Sequence, residues 1–191
     1  ESLINSFPLG VLNVHYSLLP KYRGATPLET ALLAGEKETG VTIQKMRKEL
    51  DAGDIIAQEK TEIGQEETAR ELRPRLIEIG ANLLAETLSA YVQGSITPIV
   101  QDSARATPAC AGRRACKIKK EDGLISLDAP AEENWNKYRA YADSIGTYFF
   151  ENGKRMKIVR ASLTNNKFIV ERVIPEGKRE MAHTTSPQAS R

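Results

Sequence analysis

Val11-Leu12-Asn13-Val14-His15 alternates apolar and polar side chains, then runs through Tyr16-Ser17-Leu18-Leu19 into Pro20. In a strand, residues i and i+2 face the same side. The run therefore predicts a strand over 10–16 that presents Asn13 and His15 together. Proline cannot donate to a sheet ladder, so Pro20 and the following Gly24 predict a loop over 17–25. A strand end carrying an amide and an imidazole is thereby set beside a loop. His15 is also the sole histidine before His183.

The rest of the chain alternates helix and strand signals. Thr26-Pro27-Leu28-Glu29 carries a capping residue, a proline suited to a first turn and the glutamate of a capping box. A helix is predicted from there to Gly35. Strands are predicted over 41–46 and 55–61, joined by a loop over 50–54. Thr68-Ala69-Arg70-Glu71 is a second capping box. It opens a long amphipathic helix with Leu72, Leu76, Ile79, Leu83, Leu84, Leu88 and Tyr91 at helical spacing, closed by Gly94. Pro74 falls inside this pattern and is expected to kink the first turns or delay the start. Further on, a helix is predicted over 134–145 and short strands over 155–161 and 167–174, with a turn at Asn165-Asn166.

Residues 94–123 are rich in Gly, Pro, Ser, Thr and Ala and read as a connecting region. The division expected is a first domain over 1–93, a linker over 94–116, a small β-rich domain over 117–181 and a disordered polar tail over 182–191. Overall the 191 residues are 40% hydrophobic and 27% charged, an ordinary balance for a soluble globular chain. No apolar run of membrane-spanning length occurs, so no membrane association is expected. The first residues lack the basic start and apolar core of a signal peptide. They also lack an initiator Met, so an N-terminal part is expected to be missing.

Cys110 and Cys116 give no disulfide framework and suit a reducing cytoplasm. With His183 in the tail they make poor zinc spacing, so no metal is expected. There is no Gly-rich phosphate loop. The net charge of +2 divides unevenly: residues 1–112 carry 11 Lys+Arg against 15 Asp+Glu, and residues 113–191 carry 16 against 10. A basic second part points to a polyanionic partner such as RNA, or equally to a solvated basic face.

Asn13 and His15 suit one kind of chemistry. When a carbonyl group moves onto an amine, negative charge develops on the carbonyl oxygen and the amine must lose a proton. An amide such as Asn13 can donate to that oxygen. An imidazole such as His15 can take or relay the proton. A carboxylate beside the ring would orient it and favour its charged form. Asp51 and Asp54 flank Gly53 in the predicted loop, and spacing alone does not choose between them.

The run from Asn13 to Pro27, with Ser17-Leu18-Leu19-Pro20 and Arg23-Gly24-Ala25-Thr26-Pro27, closely resembles the signature of folate-dependent formyltransferases. Gly40-Val41-Thr42-Ile43-Gln44-Lys45-Met46 and Leu50-Asp51-Ala52-Gly53-Asp54 continue the resemblance. Enzymes of the family acting on glycinamide ribonucleotide share the Asn-x-His and Ser-Leu-Leu-Pro pieces but usually lack the Arg-Gly-Ala-x-Pro continuation. The resemblance is closest to the branch acting on methionyl-tRNA. It resumes at Lys117-Ile118-Lys119-Lys120-Glu121-Asp122-Gly123, at Gly153 to Ile158 and at Pro175 to Met181.

The resemblance implies an α/β chain: the C-terminal half of a Rossmann-like formyltransferase domain, then a small OB-like β-rich domain that helps hold tRNA. It implies formyl transfer from 10-formyltetrahydrofolate to the amino group of initiator methionyl-tRNA, by a cytoplasmic monomer without a metal. It casts Asn13, His15 and Asp51 as a catalytic trio, choosing Asp51 over Asp54, and Ser17, Leu18, Leu19 and Pro20 as folate contacts. Two alternatives go with it: a formyltransferase acting on a sugar nucleotide or small amine, and an inactive RNA-binding remnant. The segment 108–115 is longer than the linker such enzymes lead one to expect, the C-terminal domain looks short, and the tail from Ala182 does not match.

Overall fold

A computed structural model describes residues 4, 6–109 and 117–183. Cys110, Cys116 and tail residues 184–191 lie outside the described residues. The chain forms two compact units, Glu1–Lys117 and Ile118–Arg191.

In the first unit, β1 (Leu12–His15), β2 (Glu38–Lys45) and β3 (Ile55–Glu62) make an antiparallel sheet in that order. Register pairs Asn13 with Gln44 and His15 with Thr42. Helix α1 (Pro27–Leu33) starts where predicted, with Pro27 in its first turn. The Thr26/Glu29 capping box does not form. The Thr26 hydroxyl donates to the Ala109 carbonyl at 3.3 Å, and Glu29 instead pairs with Arg73 at 2.6 Å. Gly35 closes the helix at φ +67°, a conformation glycine adopts without a Cβ penalty.

Helix α2 (Ala69–Val92) runs through Pro74, so the expected delay does not occur. Its start is fixed from both sides. The Glu71 carboxylate reaches back to the Thr68 N–H at 2.8 Å and hydroxyl at 2.9 Å. Ala69, Leu72 and Leu76 are fully buried with Leu28, Ala31, Leu32, Val41 and Ile43. Proline removes a single helical hydrogen bond, against burial of large side chains such as Leu72 and Leu76, each contributing roughly 1.5–3 kcal/mol. Gly80 lets the helix lie close on β1: a Cβ there would stand 2.8 Å from Val14 Cγ1. Further along the helix burial weakens, and Leu88 is 45% exposed.

Residues after α2 fold back on this unit. Ile99 bridges antiparallel to Ile55, and Pro108 bridges parallel to Arg23. Gln101 and Ala109 are buried.

The second unit packs α3 (Ala131–Tyr141) on a meander of β4 (Thr147–Glu151), β5 (Lys154–Thr164), β6 (Lys167–Pro175) and β7 (Met181–Ala182). Ile125, Phe149, Met156, Ile158, Ala161, Val170 and Val173 form its core, with Tyr138 and Phe168 against it. Asn165 and Asn166 both have positive φ, 50° and 59°, the two-residue turn that suits a twisted hairpin. β4 and β7 were not predicted. β7 takes in Ala182, and the His183 N–H bonds the Glu171 carbonyl at 2.8 Å, so ladder bonds reach the first residues of the expected tail.

Candidate active site

β1 ends at His15, and the ring is 5% exposed. Its Nε2 lies 3.0 Å from the Tyr22 carbonyl oxygen. A carbonyl only accepts, so Nε2 carries the proton. In the neutral ring Nδ1 is then unprotonated. It stands 3.7 Å from Asp51 Oδ2, beyond hydrogen-bond length but close enough to feel the charge. Burial lowers the imidazole pKa below 6.5, while the Asp51 charge and the Tyr22 carbonyl act in the opposite direction. The result is a ring held neutral, with a basic nitrogen facing a carboxylate that would stabilise its protonated form.

Asp51 is fixed at both oxygens. The Gly24 N–H donates to Oδ2 at 2.9 Å, and Gln44 Nε2 donates to Oδ1 at 2.8 Å. A carboxylate accepts only, so the Gln44 amide can face it one way alone. Gln44 stands opposite Asn13 in the β1–β2 register, so the strand pairing that carries Asn13 also carries the group steadying Asp51. Asp54 is turned elsewhere: both its oxygens lie 2.7 Å from Arg47 Nη2. Asn13, His15, Gly24, Leu50 and Asp51 share the walls of one open depression of about 290 Å³.

Backbone strain gathers here. Tyr22 and Asp51 are non-glycine residues at φ +60° and +49°, which is uncommon and, for a bulky side chain, costly. Tyr22 is held in that state from both sides. Its phenol donates to Glu36 Oε1 at 2.6 Å, and its N–H donates to Thr107 Oγ1 at 3.0 Å. Burial and the Glu36 carboxylate push the phenol pKa well above 10.0. The same phenol, with Lys21 at 3.1 Å, lowers the Glu36 pKa.

The 17–20 loop is pinned to β2 and β3. The Thr42 hydroxyl donates to the Ser17 carbonyl at 2.6 Å and accepts the Leu19 N–H at 3.1 Å. Gln58 Nε2 donates to the Leu19 carbonyl at 2.8 Å. Leu18, Leu19 and Pro20 line a second depression of about 380 Å³, with Lys21, Glu36 and Gln58 among its polar walls. Ser17 is fully buried, and its hydroxyl donates to the Lys21 carbonyl at 2.6 Å.

Sequence reasoning missed Gln44, Tyr22, Gln101 and Thr107. Gln44 could have been found, because it aligns with Asn13 once the two strands are paired. The others have no local signal. Among the described residues no three His, Cys, Asp or Glu side chains gather as metal ligands. Nor, among those residues, is any helix long and apolar enough to cross a membrane.

Two family models match the chain: Formyl transferase over residues 1–88, and Formyl transferase, C-terminal domain, over residues 117–185. The chain belongs to the formyl transferase family. Its fold is the family's, with part of a Rossmann-like N-terminal domain followed by the C-terminal domain. A relative named methionyl-tRNA formyltransferase, from Carboxydothermus hydrogenoformans, is 45% identical over 163 residues, 85% of this chain and 51% of the relative. One of the same name from Bdellovibrio bacteriovorus is 39% identical over 166 residues, 87% of this chain and 50% of the relative. The chain thus spans about half the length of the curated relatives it matches.

Solved structures carry the same fold. The methionyl-tRNA formyltransferase from Clostridium thermocellum superposes with TM-score 0.61 at 20% identity, over 90% of this chain and 69% of that one. An N-formyltransferase from Helicobacter canadensis, in complex with folinic acid and dTDP-3-aminofucose, gives TM-score 0.71 at 23% identity, over 91% of this chain and 66% of that one.

Proposed function

We propose that the protein carrying this chain transfers a formyl group from 10-formyltetrahydrofolate to the amino group of methionyl-tRNA. One observation carries the reading: a buried neutral His15, pinned at Nε2, faces Asp51 with its basic nitrogen and shares a depression with Asn13. The names of the relatives at 45% and 39% identity support the choice of acceptor.

His15 takes the proton that the attacking amine gives up, and Asp51 stabilises the imidazolium so formed. The Asn13 amide donates to the developing oxyanion. 10-Formyltetrahydrofolate supplies the activated formyl carbon: the amine nitrogen bonds to it, the bond from that carbon to N10 breaks as the oxyanion collapses, and the His15 imidazolium returns its proton so that tetrahydrofolate leaves neutral. The depression beside Leu18, Leu19 and Pro20 is the proposed folate site, because these apolar residues line it together with polar Lys21, Glu36 and Gln58. Ser17 serves by holding the loop through Lys21. Residues 1–93 carry the catalytic trio, and 94–116, whose Ile99, Gln101 and Ala109 fold back on that unit, lead on to 117–181, whose Lys154, Arg155, Lys157, Lys178 and Arg179 are exposed and meet tRNA phosphates. The setting is translation initiation in the cytoplasm, with the enzyme acting as a monomer.

Formylation assays on the whole protein test this. Charged initiator tRNA should be formylated in the presence of 10-formyltetrahydrofolate. Formylation of an amino-sugar nucleotide instead would assign a different acceptor. Tight tRNA binding without any transfer would leave an RNA-binding protein.

A further inference from the structure

We infer that Gln101 is a positioning residue: it ties Arg23, in the loop after His15, to the backbone of the 51–53 turn and so sets the Asp51 carboxylate against the His15 ring. Gln101 is 6% exposed. Its Nε2 donates to the Asp51 carbonyl at 3.0 Å and to the Gly53 carbonyl at 2.6 Å. Its Oε1 accepts from Arg23 Nε at 3.0 Å and Nη2 at 2.8 Å. A glutamine amide has two N–H groups and two acceptor lone pairs, and all four are engaged. No donor or acceptor is left for a substrate, so the side chain acts through the residues it holds.

Both ends of this strut are themselves anchored. The Arg23 N–H donates to the Thr107 carbonyl at 2.9 Å, and the Ala109 N–H donates to the Arg23 carbonyl at 2.7 Å. At the other end Asp51 holds φ +49°, a backbone state that persists only where surrounding contacts enforce it. Gly53 packs so closely that a Cβ would lie 1.7 Å from the Lys45 carbonyl oxygen. Without Gln101 the Asp51 and Gly53 carbonyls lose buried donors, and the turn has reason to relax. At a His15–Asp51 separation of 3.7 Å, a small displacement changes the charge felt by the ring. Gln101 lies in the stretch that sequence alone reads as linker.

The test follows the His15 imidazole C–H signals against pH by proton NMR, assigned by their loss in His15→Gln. Asp51 is the charged side chain acting on this ring, and it favours the protonated form. In Gln101→Met, of similar size and no charge, the His15 midpoint is expected to fall further below its wild-type position. Gln93→Ala, on an exposed glutamine at the end of α2, should leave it in place. A wild-type midpoint in folded Gln101→Met would overturn the positioning role.

If that variant fails to fold, Gln101→Asn keeps the amide, shortens the strut by one methylene and is read the same way. The role in formyl transfer rests on the function proposed above. In an active enzyme kcat should drop about tenfold to 100-fold with KM for both substrates little changed. A kcat at wild-type level would refute the role. A shifted midpoint in a protein that never formylates would refute the function and leave the strut intact.

Discussion

In the proposed mechanism His15 stays neutral until it takes the proton of the amine. Its ring is buried, its Nε2 proton is held by Tyr22, and its pKa lies below 6.5. Activity should therefore persist as pH falls to 6.5 and decline only at lower pH, where Nδ1 becomes occupied. Stability should move the same way. A histidine whose folded pKa is depressed contributes fully above its unfolded value and loses that contribution as pH falls through the folded one. A kcat/KM profile centred on 6.5 or higher would contradict this. The two aspartates should also separate. Asp51→Asn removes the charge facing the ring and is expected to lower kcat about 10²-fold or more. Asp54 makes a partly exposed pair with Arg47, and such pairs contribute little, so Asp54→Asn should stay within about twofold of wild type. Steady-state kinetics on the two variants checks the order.

At the scale of elements, two glycines set how closely the site's supports approach one another. A Cβ on Gly53 meets the Lys45 carbonyl oxygen at 1.7 Å, a backbone atom that cannot swing away. A Cβ on Gly80 meets Val14 Cγ1 at 2.8 Å and Val41 Cγ1 at 3.3 Å, side-chain atoms that can shift. Overpacking of this kind costs about 1–3 kcal/mol, and alanine returns about 1 kcal/mol of helix propensity at Gly80. Gly53→Ala should therefore be clearly the more destabilising, with Gly80→Ala mild, as read from denaturant midpoints. The reverse order would mean the 51–53 turn is not held against β2.

These elements also mark how far the sequence was legible. The strand end at His15, the turn at Asn165-Asn166 and the Thr68/Glu71 start of α2 were all readable, because each rests on neighbours in sequence. The Thr26/Glu29 box was not, because Glu29 pairs with Arg73, 44 residues away. Gln101 was hidden for the same reason: its partners lie 48 to 78 residues back, and a Gly/Pro/Ser-rich context carries no trace of them. Asn13, His15 and Asp51 could be singled out by chemistry, and the choice of Asp51 over Asp54 came from resemblance alone. In the structure it corresponds to which carboxylate the Gly24 N–H and the Gln44 amide hold.

At the scale of the whole chain, the first unit is close to neutral, with 14 Lys+Arg against 15 Asp+Glu, and the second is basic, with 13 against 10; the proposed chemistry lies in the first. In the second unit Lys154, Arg155 and Lys157 are exposed on β5, with the Arg155 guanidinium 4.0 Å from the centre of the Tyr148 ring. Lys178 and Arg179 are exposed in the turn before β7. Phosphate contacts release counterions, so tRNA binding should weaken with salt at a log–log slope of about −0.7 per phosphate neutralised on single strands and about −0.9 on a B-form duplex. Charge reversal at both clusters should raise KM for tRNA and leave KM for the folate unchanged. Equal effects on both would indicate disturbed folding, and no effect would return these residues to a solvated surface. The most direct measurement of the central claim is single-turnover formylation of methionyl-tRNA by the whole protein and by its His15→Ala variant. The expected result is rapid transfer in the first and a rate lower by about 10²–10⁴ in a folded second; equal rates in the two would contradict it.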